Sequence, residues 1–564
     1  MVLDILKDYV QKAFIESGYD IDIRIIKSNR EDLCDYQCDD VFKIAKQYHK
    51  NPIEVGETIV SIINNYIDFN EYFVEVTFAK PGFINMKVSD KLINNIINKM
   101  INSDKYNLKQ EEKQTYFLDY GGPNVAKPLH VGHLRTAIIG ESIKRIINFL
   151  GHNTVCDVHL GDYGLQIGEV IYAILEDNLS IDDITLGYLD EAYPKMSKLC
   201  KENKEILDKC AQITKDLQDG NLEYQKIWKK IKEVSVNDIR RIYDYLSVNF
   251  DLWEGESDGY KYIDSVTEIL NKHNLLMDSE GAKVVEVKEE TDTKEMPPLI
   301  YQKSNGAYLY GTTDMAAIYE RVKLYNPNYI LYVTDLRQSL HFSQVFRACN
   351  KANITDNIAL EHLGYGTVNG TDGKPFKTRS GDTVKLNDLF EQVKEVFINT
   401  KESNKDMSNE DLDIIVNAII KFADLQNNRE KDYIFDIQKF SNVVGKTGPY
   451  ILYTYLRMNK ILEQEIINTN ELNDTIYNKF DRDLRLKLLD LHNTINLAYK
   501  ERMPHYIAEY VYDICVLNNI FYQNNHIVTA ADDTKQQWLV LIKFTNKLLK
   551  DLLNLLVIDI PSKM

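Results

Sequence analysis

Between Thr115 and Gly168 the chain reads as strand, glycine- and proline-rich loop, helix, strand and glycine loop, an order that leaves few folds open. TYFLDY carries strand formers, GGPNVAKPLHVG is loop, and HLRTAIIGESIKRIINFLG is a helix closed by Gly151. NTVCDVHL is a second strand, and GDYGLQIG follows it. Two strands joined by a helix at this spacing make a right-handed βαβ crossover, which implies a parallel, doubly wound sheet. Strand signals resume near AKVVEV, AYLYG, YILYVTD and IALEHLGYG, so these segments are expected to complete the same sheet.

The flanking sequence divides into four stretches. Residues 1–110 read as a small α/β unit, with two strands around the turn Lys80-Pro81-Gly82. Residues 111–385 hold the sheet, interrupted around 171–270 by charged helical sequence without glycine loops, which reads as an insertion. Residues 386–446 read as a helical connector and 447–564 as an all-helical domain, since everything beyond Lys385 looks helical. At 564 residues the chain is too long for one core.

Charge and cysteine usage exclude several classes. A net charge of -18 argues against a protein that coats nucleic acid indiscriminately. Residues 447–564 are nearly neutral, so almost all of that charge lies upstream, and the helical domain is the part best suited to face RNA. The seven cysteines are scattered, without a CxxC, and read as reduced thiols rather than a disulfide frame or zinc ribbon. No run approaches the ~20 apolar residues of a membrane span, and the first helix is amphipathic rather than a signal peptide. A soluble, cytoplasmic protein is expected.

The chemistry concentrates in Gly121 to His133. A loop leaving the carboxyl edge of a parallel strand and entering a helix is where such folds bind phosphates. Gly132 lets a flat adenine or ribose approach the backbone. His130 and His133 bracket it, with Lys127 three residues ahead of the first histidine. Imidazole donors and an ammonium on one loop suit a phosphoryl group that gains negative charge during displacement. Taken alone, HVGH reads more readily as a helix start with two solvated histidines; the strand before, the helix after, the loop lysine and GDYG shift the balance. No further ligand has zinc spacing, so no metal site of the protein's own is expected.

His130-Val131-Gly132-His133 resembles the HIGH signature of class I aminoacyl-tRNA synthetases, and PNVAKPLHVGHLR resembles its arginine-specific form. The likeness continues through GDYGLQIG, YGTTDMAAIYER, QSLHFSQVF, DGKPFKTRSGDTVKL, TGPYILYTYLR and IDIPSKM, and KPGFIN resembles a segment of the extra N-terminal domain of those enzymes. The resemblance implies a Rossmann-like catalytic domain with a helical insertion. It also implies a small α/β N-terminal domain contacting the tRNA elbow and an α-helical anticodon-binding bundle over 447–564. The second class I signature, KMSKS, corresponds to Phe376-Lys377-Thr378-Arg379-Ser380, with Arg379 where its second lysine stands. Many arginine enzymes share this departure, and the resemblance gives the missing ammonium to Lys127. Lys377 and Arg379 remain candidates for phosphate or tRNA.

A guanidinium pocket needs carboxylates, because the planar fork pairs bidentately and its charge is costly to bury alone. Asp119 ends the first strand, and Tyr310 with Asp314 is expected where a strand, AYLY, turns into a helix capped by Thr312 or Thr313. The resemblance assigns these three to the guanidinium, and Asn124 and Gln338 to the α-amino and carboxylate ends of arginine. Tyr450, Tyr453 and Tyr455 read first as helix packing, while the resemblance, which puts this helix in the anticodon-binding bundle, offers base stacking as the second reading. The implied reaction is ATP-dependent, with Mg²⁺ on the phosphates: L-arginine becomes arginyl-adenylate and then passes to the 3′ end of tRNA(Arg). A monomer is expected. The rivals are a small-metabolite nucleotidyltransferase, an inactive tRNA-binding relative, and another class I specificity.

Overall fold

The computed structural model describes every residue except Glu31 and residues 377–383, so Lys377 and Arg379 lie outside the described residues. The chain separates into two compact units that do not follow chain order. One comprises Met1–Gln110, Ile451–Lys500 and Glu509–Leu552, and the other Glu111–Tyr450, Glu501–Ala508 and Leu553–Met564.

The second unit is built on four parallel strands. Thr115–Asp119 lies at the centre, paired with Asn153–Asp157 on one side and Tyr329–Tyr332 on the other, and Ala359–His362 closes the far edge. Tyr116, Phe117, Leu118, Ile330 and Leu331 are fully buried. That is why these strands read as near-continuous apolar runs: a parallel sheet is covered on both faces. The chain goes one way from the central strand and later returns on its other side, which creates a topological switch point between Asp119 and Tyr332. Helices Leu165–Glu176, Leu186–Glu202, Lys204–Gln218 and Leu222–Tyr245 fill much of the excursion between the second and third strands.

Three sequence expectations need correction. Ala282–Val285, within AKVVEV, pairs antiparallel with Leu276–Ser279 and with Leu299–Gln302, forming a separate three-stranded sheet. AYLY does not end in a strand: Tyr308 makes one bridge to Gln302, and Tyr310 already opens the helix Tyr310–Tyr325. Thr312 is not its cap, because its hydroxyl donates to the Tyr301 carbonyl and pins the helix to the small sheet. The region beyond Lys385 is also not wholly helical, since Tyr433–Ile434 pairs in parallel with Val368–Asn369.

The helix Val131–Phe149 is buried around most of its circumference, Arg135 and Glu141 included. Arg135 Nε lies 2.9 Å from Asp424 Oδ2 on the helix Asn409–Leu425, and both side chains are 1% exposed. Its Nη1 donates to the Gly366 carbonyl at 2.6 Å, so one guanidinium joins helix, helix and loop.

The other unit combines an antiparallel sheet with helices from both ends of the chain. The strands run in the order Ile26–Lys27, Tyr36–Cys38, Phe83–Val88, Phe73–Ala79. Arg485, on the helix Lys479–Leu488, is fully buried; its Nε donates to Asp481 Oδ1 and its Nη1 to Asn94 Oδ1, each at 2.6 Å. Asn94 belongs to the helix Asp90–Ile101, so this network ties the N-terminal sequence to the helical domain. Arg485→Ala leaves Asp481 buried without its counter-charge. It should lower unfolding stability by about 3–5 kcal/mol, read as a large fall in the denaturation midpoint of this unit, whereas Arg482→Ala, at a more exposed position, should cost less.

Candidate functional site

The carboxyl edge of the parallel sheet opens into a cavity of about 430 Å³ at the switch point. Asp119 at the end of the central strand, Val333 and Thr334 after the third strand, and Tyr365 after the fourth form its floor and wall. The signature loop supplies the opposite side with Asn124, His130, Gly132 and His133, and Gln338 and Phe376 also face in. Lys127, Tyr310 and Asp314 are not among the lining residues.

The loop is built by backbone pairing with the glycine loop after the second strand. Gly161 N–H donates to the Pro123 carbonyl at 3.0 Å, and Val125 N–H to the Gly161 carbonyl at 2.9 Å. A Cβ on Gly161 would sit 2.4 Å from Asn124 Oδ1, so glycine is required for Asn124 to lie where it does. Gly121 adopts φ +97°, a conformation costly for other residues. On the other flank Val131 N–H donates to the Val384 carbonyl, and Leu386 N–H to the Leu129 carbonyl. The signature loop is thereby paired with the segment that follows the second signature.

Both histidines spend their inner nitrogen on the helix start. Gly132 N–H donates to His130 Nδ1 at 3.0 Å, and His130 N–H to His133 Nδ1 at 3.2 Å. These bonds satisfy amide groups that a helix N-terminus leaves without partners. They also select one tautomer: with Nδ1 accepting, each neutral ring carries its proton on Nε2 and presents a donor. Burial lowers the pKa of His130, and that of His133 falls well below the usual imidazole value, with the charge of Lys127 adding in both cases. Both rings are therefore neutral Nε2–H donors at neutral pH. Lys127 is half-buried, its Nζ 4.5 Å from the ring centre of Tyr193, a residue of the inserted helix Leu186–Glu202.

The acids form two groups. Asp119 is buried, and its Oδ2 lies 2.6 Å from Nη2 of Arg321, itself 2% exposed. The same nitrogen reaches Asp157 Oδ2 at 3.2 Å, and Arg321 Nη1 donates to the Tyr332 hydroxyl at 2.7 Å. Burial opposes a charge on His159, yet Asp119 and a hydrogen bond to Asp157 push its pKa up to about 9. Asp119 thus already holds a guanidinium from the chain itself. The second group comprises Asp314, Tyr310 and Glu256. Tyr310 is 61% exposed, and its phenol is raised by burial and then by the nearby charges of Glu256 and Asp314. Burial pushes Glu256 up to about 7, against the charge of His159 and with Asp162 and Asp314 adding to it. Buried Tyr332 feels the charges of both Asp119 and Asp314, so the two groups lie near the same side chain.

Sequence reasoning missed Glu256, Tyr193 and Arg321. Glu256 opens a short helix after Gly255, where a Cβ would lie 2.6 Å from Asp162 Oδ1. That glycine within WEGES was the available signal, hidden among the many acids of the insertion.

At Gly132 a Cβ would stand 2.8 Å from Cε1 of His130. Gly132→Ala must therefore displace the imidazole, and the hydrogen bond from the residue 132 N–H to His130 Nδ1 should be lost, read as a shifted His130 ring resonance with an unchanged thermal midpoint.

Residues 95–437 match the catalytic domain of class I (R) tRNA synthetases, 2–88 the arginyl tRNA synthetase N-terminal domain, and 451–564 the DALR anticodon binding domain. Among curated relatives, the arginine–tRNA ligase of Alkaliphilus oremlandii is 40% identical, over 99% of this chain and 98% of its own length. That of Agathobacter rectalis is 39% identical over the whole of both. The crystal structure of Plasmodium falciparum arginyl-tRNA synthetase superposes with a TM-score of 0.83 at 28% identity, over 100% of this chain and 99% of the other. The Thermus thermophilus arginyl-tRNA synthetase shares the fold, with a TM-score of 0.80 at 20% identity over the full length of both. The chain belongs to the arginine-specific class I tRNA synthetases, the arginine–tRNA ligases.

Proposed function

We propose that this protein joins arginine to tRNA(Arg) at the expense of ATP, with activation in the switch-point cavity. The observation that carries the reading is the pairing of two fixed imidazole donors with an acidic slot a short way along the same sheet edge. ATP, entering as its Mg²⁺ complex with the ion on phosphate oxygens, lies against Gly132 with its phosphates toward His130, His133 and Lys127. The arginine carboxylate attacks the α-phosphate, pyrophosphate leaves, and arginyl-adenylate stays bound. The tRNA 3′-terminal ribose hydroxyl then takes the arginyl group and AMP is released. The imidazoles stabilise charge on the transferring phosphoryl group without covalent catalysis. Lys377 and Arg379 are assigned to the same phosphates or to tRNA on resemblance alone.

Within arginine's own site, Asp314, Glu256 and Tyr310 hold the guanidinium, and Asn124 and Gln338 hold the α-amino and carboxylate groups. Asp119 faces the same cavity as Asn124 and Gln338. With its charge shared by Arg321, it serves the α-amino end rather than the guanidinium. Residues 1–110 contact the tRNA elbow, 386–446 form a connector after the catalytic domain (111–385), and 447–564 read the anticodon. All seven cysteines are free and buried, in keeping with a reducing cytoplasm, and among the described residues no helix is long and apolar enough to cross a membrane. The protein acts as a monomer.

Labelled arginine, ATP and tRNA(Arg) should give charged tRNA only when all three are present; charging by another amino acid instead would end the reading. Lys127→Ala should reduce arginine-dependent pyrophosphate exchange about 10²- to 10³-fold while tRNA binding persists, and full exchange would show that another cation holds the phosphates.

Glu256 predicts a pH dependence. Below about 7 its carboxyl is protonated and offers the guanidinium no charge, so kcat/KM for arginine should rise with pH and level off above about 7. On the acid side the fall should approach about tenfold per pH unit. Glu256→Gln should remove that limb and leave a uniformly raised arginine KM.

A further inference from the structure

We infer that His341 is a positioning residue for arginine recognition: its imidazole Nε2, 2.5 Å from Asp314 Oδ2, fixes the plane of the carboxylate that receives the guanidinium. The inference rests on the reading that Asp314 lies in that slot.

The geometry distinguishes the two aspartates at this edge. Asp119 is held by Arg321, which a substrate could displace only by separating a buried guanidinium from the nearer of its two aspartates. Asp314 is held by a neutral-capable donor that uses one lone pair. A carboxylate has about four acceptor positions, so Oδ1 and the remaining lone pair of Oδ2 stay open to a bidentate fork. Without a donor on Oδ2, the terminal torsion of an aspartate is broad and roughly two-fold, and the fork would have to select one orientation on binding. Fixing the plane in advance lowers that ordering cost.

The imidazole is itself held. His341 lies in the first turn of the helix Ser339–Lys351, which begins directly after cavity-lining Gln338. Its ring meets Phe342 edge-on at 5.2 Å, and Phe342 stacks on His362 at 4.9 Å. His362 Nε2 lies 2.9 Å from the hydroxyl of Thr334, which lines the cavity. The side chains are 30% exposed for His341 and 18% for Asp314, so the pair is partly screened yet reachable by substrate. One helix start therefore places a residue facing the cavity and, three positions on, the donor that orients the slot.

Steady-state kinetics of the full chain with arginine, ATP and tRNA(Arg) test this. His341→Ala should raise the arginine KM about tenfold, the value of one hydrogen bond to a charged group, with kcat and the KM values for ATP and tRNA within about twofold of the parent. His341→Gln, whose amide nitrogen reaches the Nε2 position, should recover most of that loss, whereas His341→Asn, which reaches only the Nδ1 position, should not. An unchanged arginine KM in His341→Ala, equal losses for all three substrates, or a Gln variant no better than Asn would overturn the inference. If His341→Ala does not fold, the Gln and Asn variants carry the same comparison. Asp314→Asn separates the two readings. If it leaves the arginine KM unchanged, the slot assignment itself fails. If it raises that KM while His341→Ala does not, only the positioning role fails.

Discussion

A guanidinium taken out of water must have its charge balanced and its fork filled, and this protein meets that demand repeatedly with its own residues. Arg135, Arg321 and Arg485 are among its largest fully buried side chains. Each reaches an aspartate on another turn, helix or strand: Asp424, Asp119 with Asp157, and Asp481. Because removing one partner of a buried pair costs far more than the pair contributes net, such contacts fix geometry more than they add stability. Arg135 sets the helix that starts at the signature histidines, and Arg321 joins the strand ends that carry Asp119, Asp157 and Tyr332.

The same chemistry appears in two forms at the sheet edge. At Asp119 an internal arginine occupies the carboxylate permanently. Glu256 and Asp314 have no arginine partner of this kind among the described residues, and burial first, then the charges of Asp162 and Asp314, push Glu256 up to about 7. An acidic slot that is partly protonated when empty suffers less self-repulsion than two full carboxylates would, and it gains charge as a cationic side chain enters.

The sequence disclosed much of this and concealed specific parts for physical reasons. The first βαβ unit was legible because its strands have apolar centres rich in strand formers and its loop is rich in glycine and proline. The start of the helix at Tyr310 was not, since the two tyrosines of AYLY are good strand formers and the acceptor for the Thr312 hydroxyl that pins the helix is Tyr301, outside the segment. The partner of Asp119 was invisible because Arg321 lies more than two hundred residues away in sequence. The histidines were legible as chemistry, but not their tautomer, which depends on amides of the folded helix start.

The ring beneath Lys127 comes from the inserted helices, through Tyr193, and so does the hydroxyl of Ser235, which receives the Ala126 amide at 3.0 Å. The insertion thus braces the signature loop. A chimera that exchanged it wholesale for the insertion of a distant relative would inherit a loop with the wrong props, and the defect would surface around Ala126 and Lys127, far in sequence from the splice.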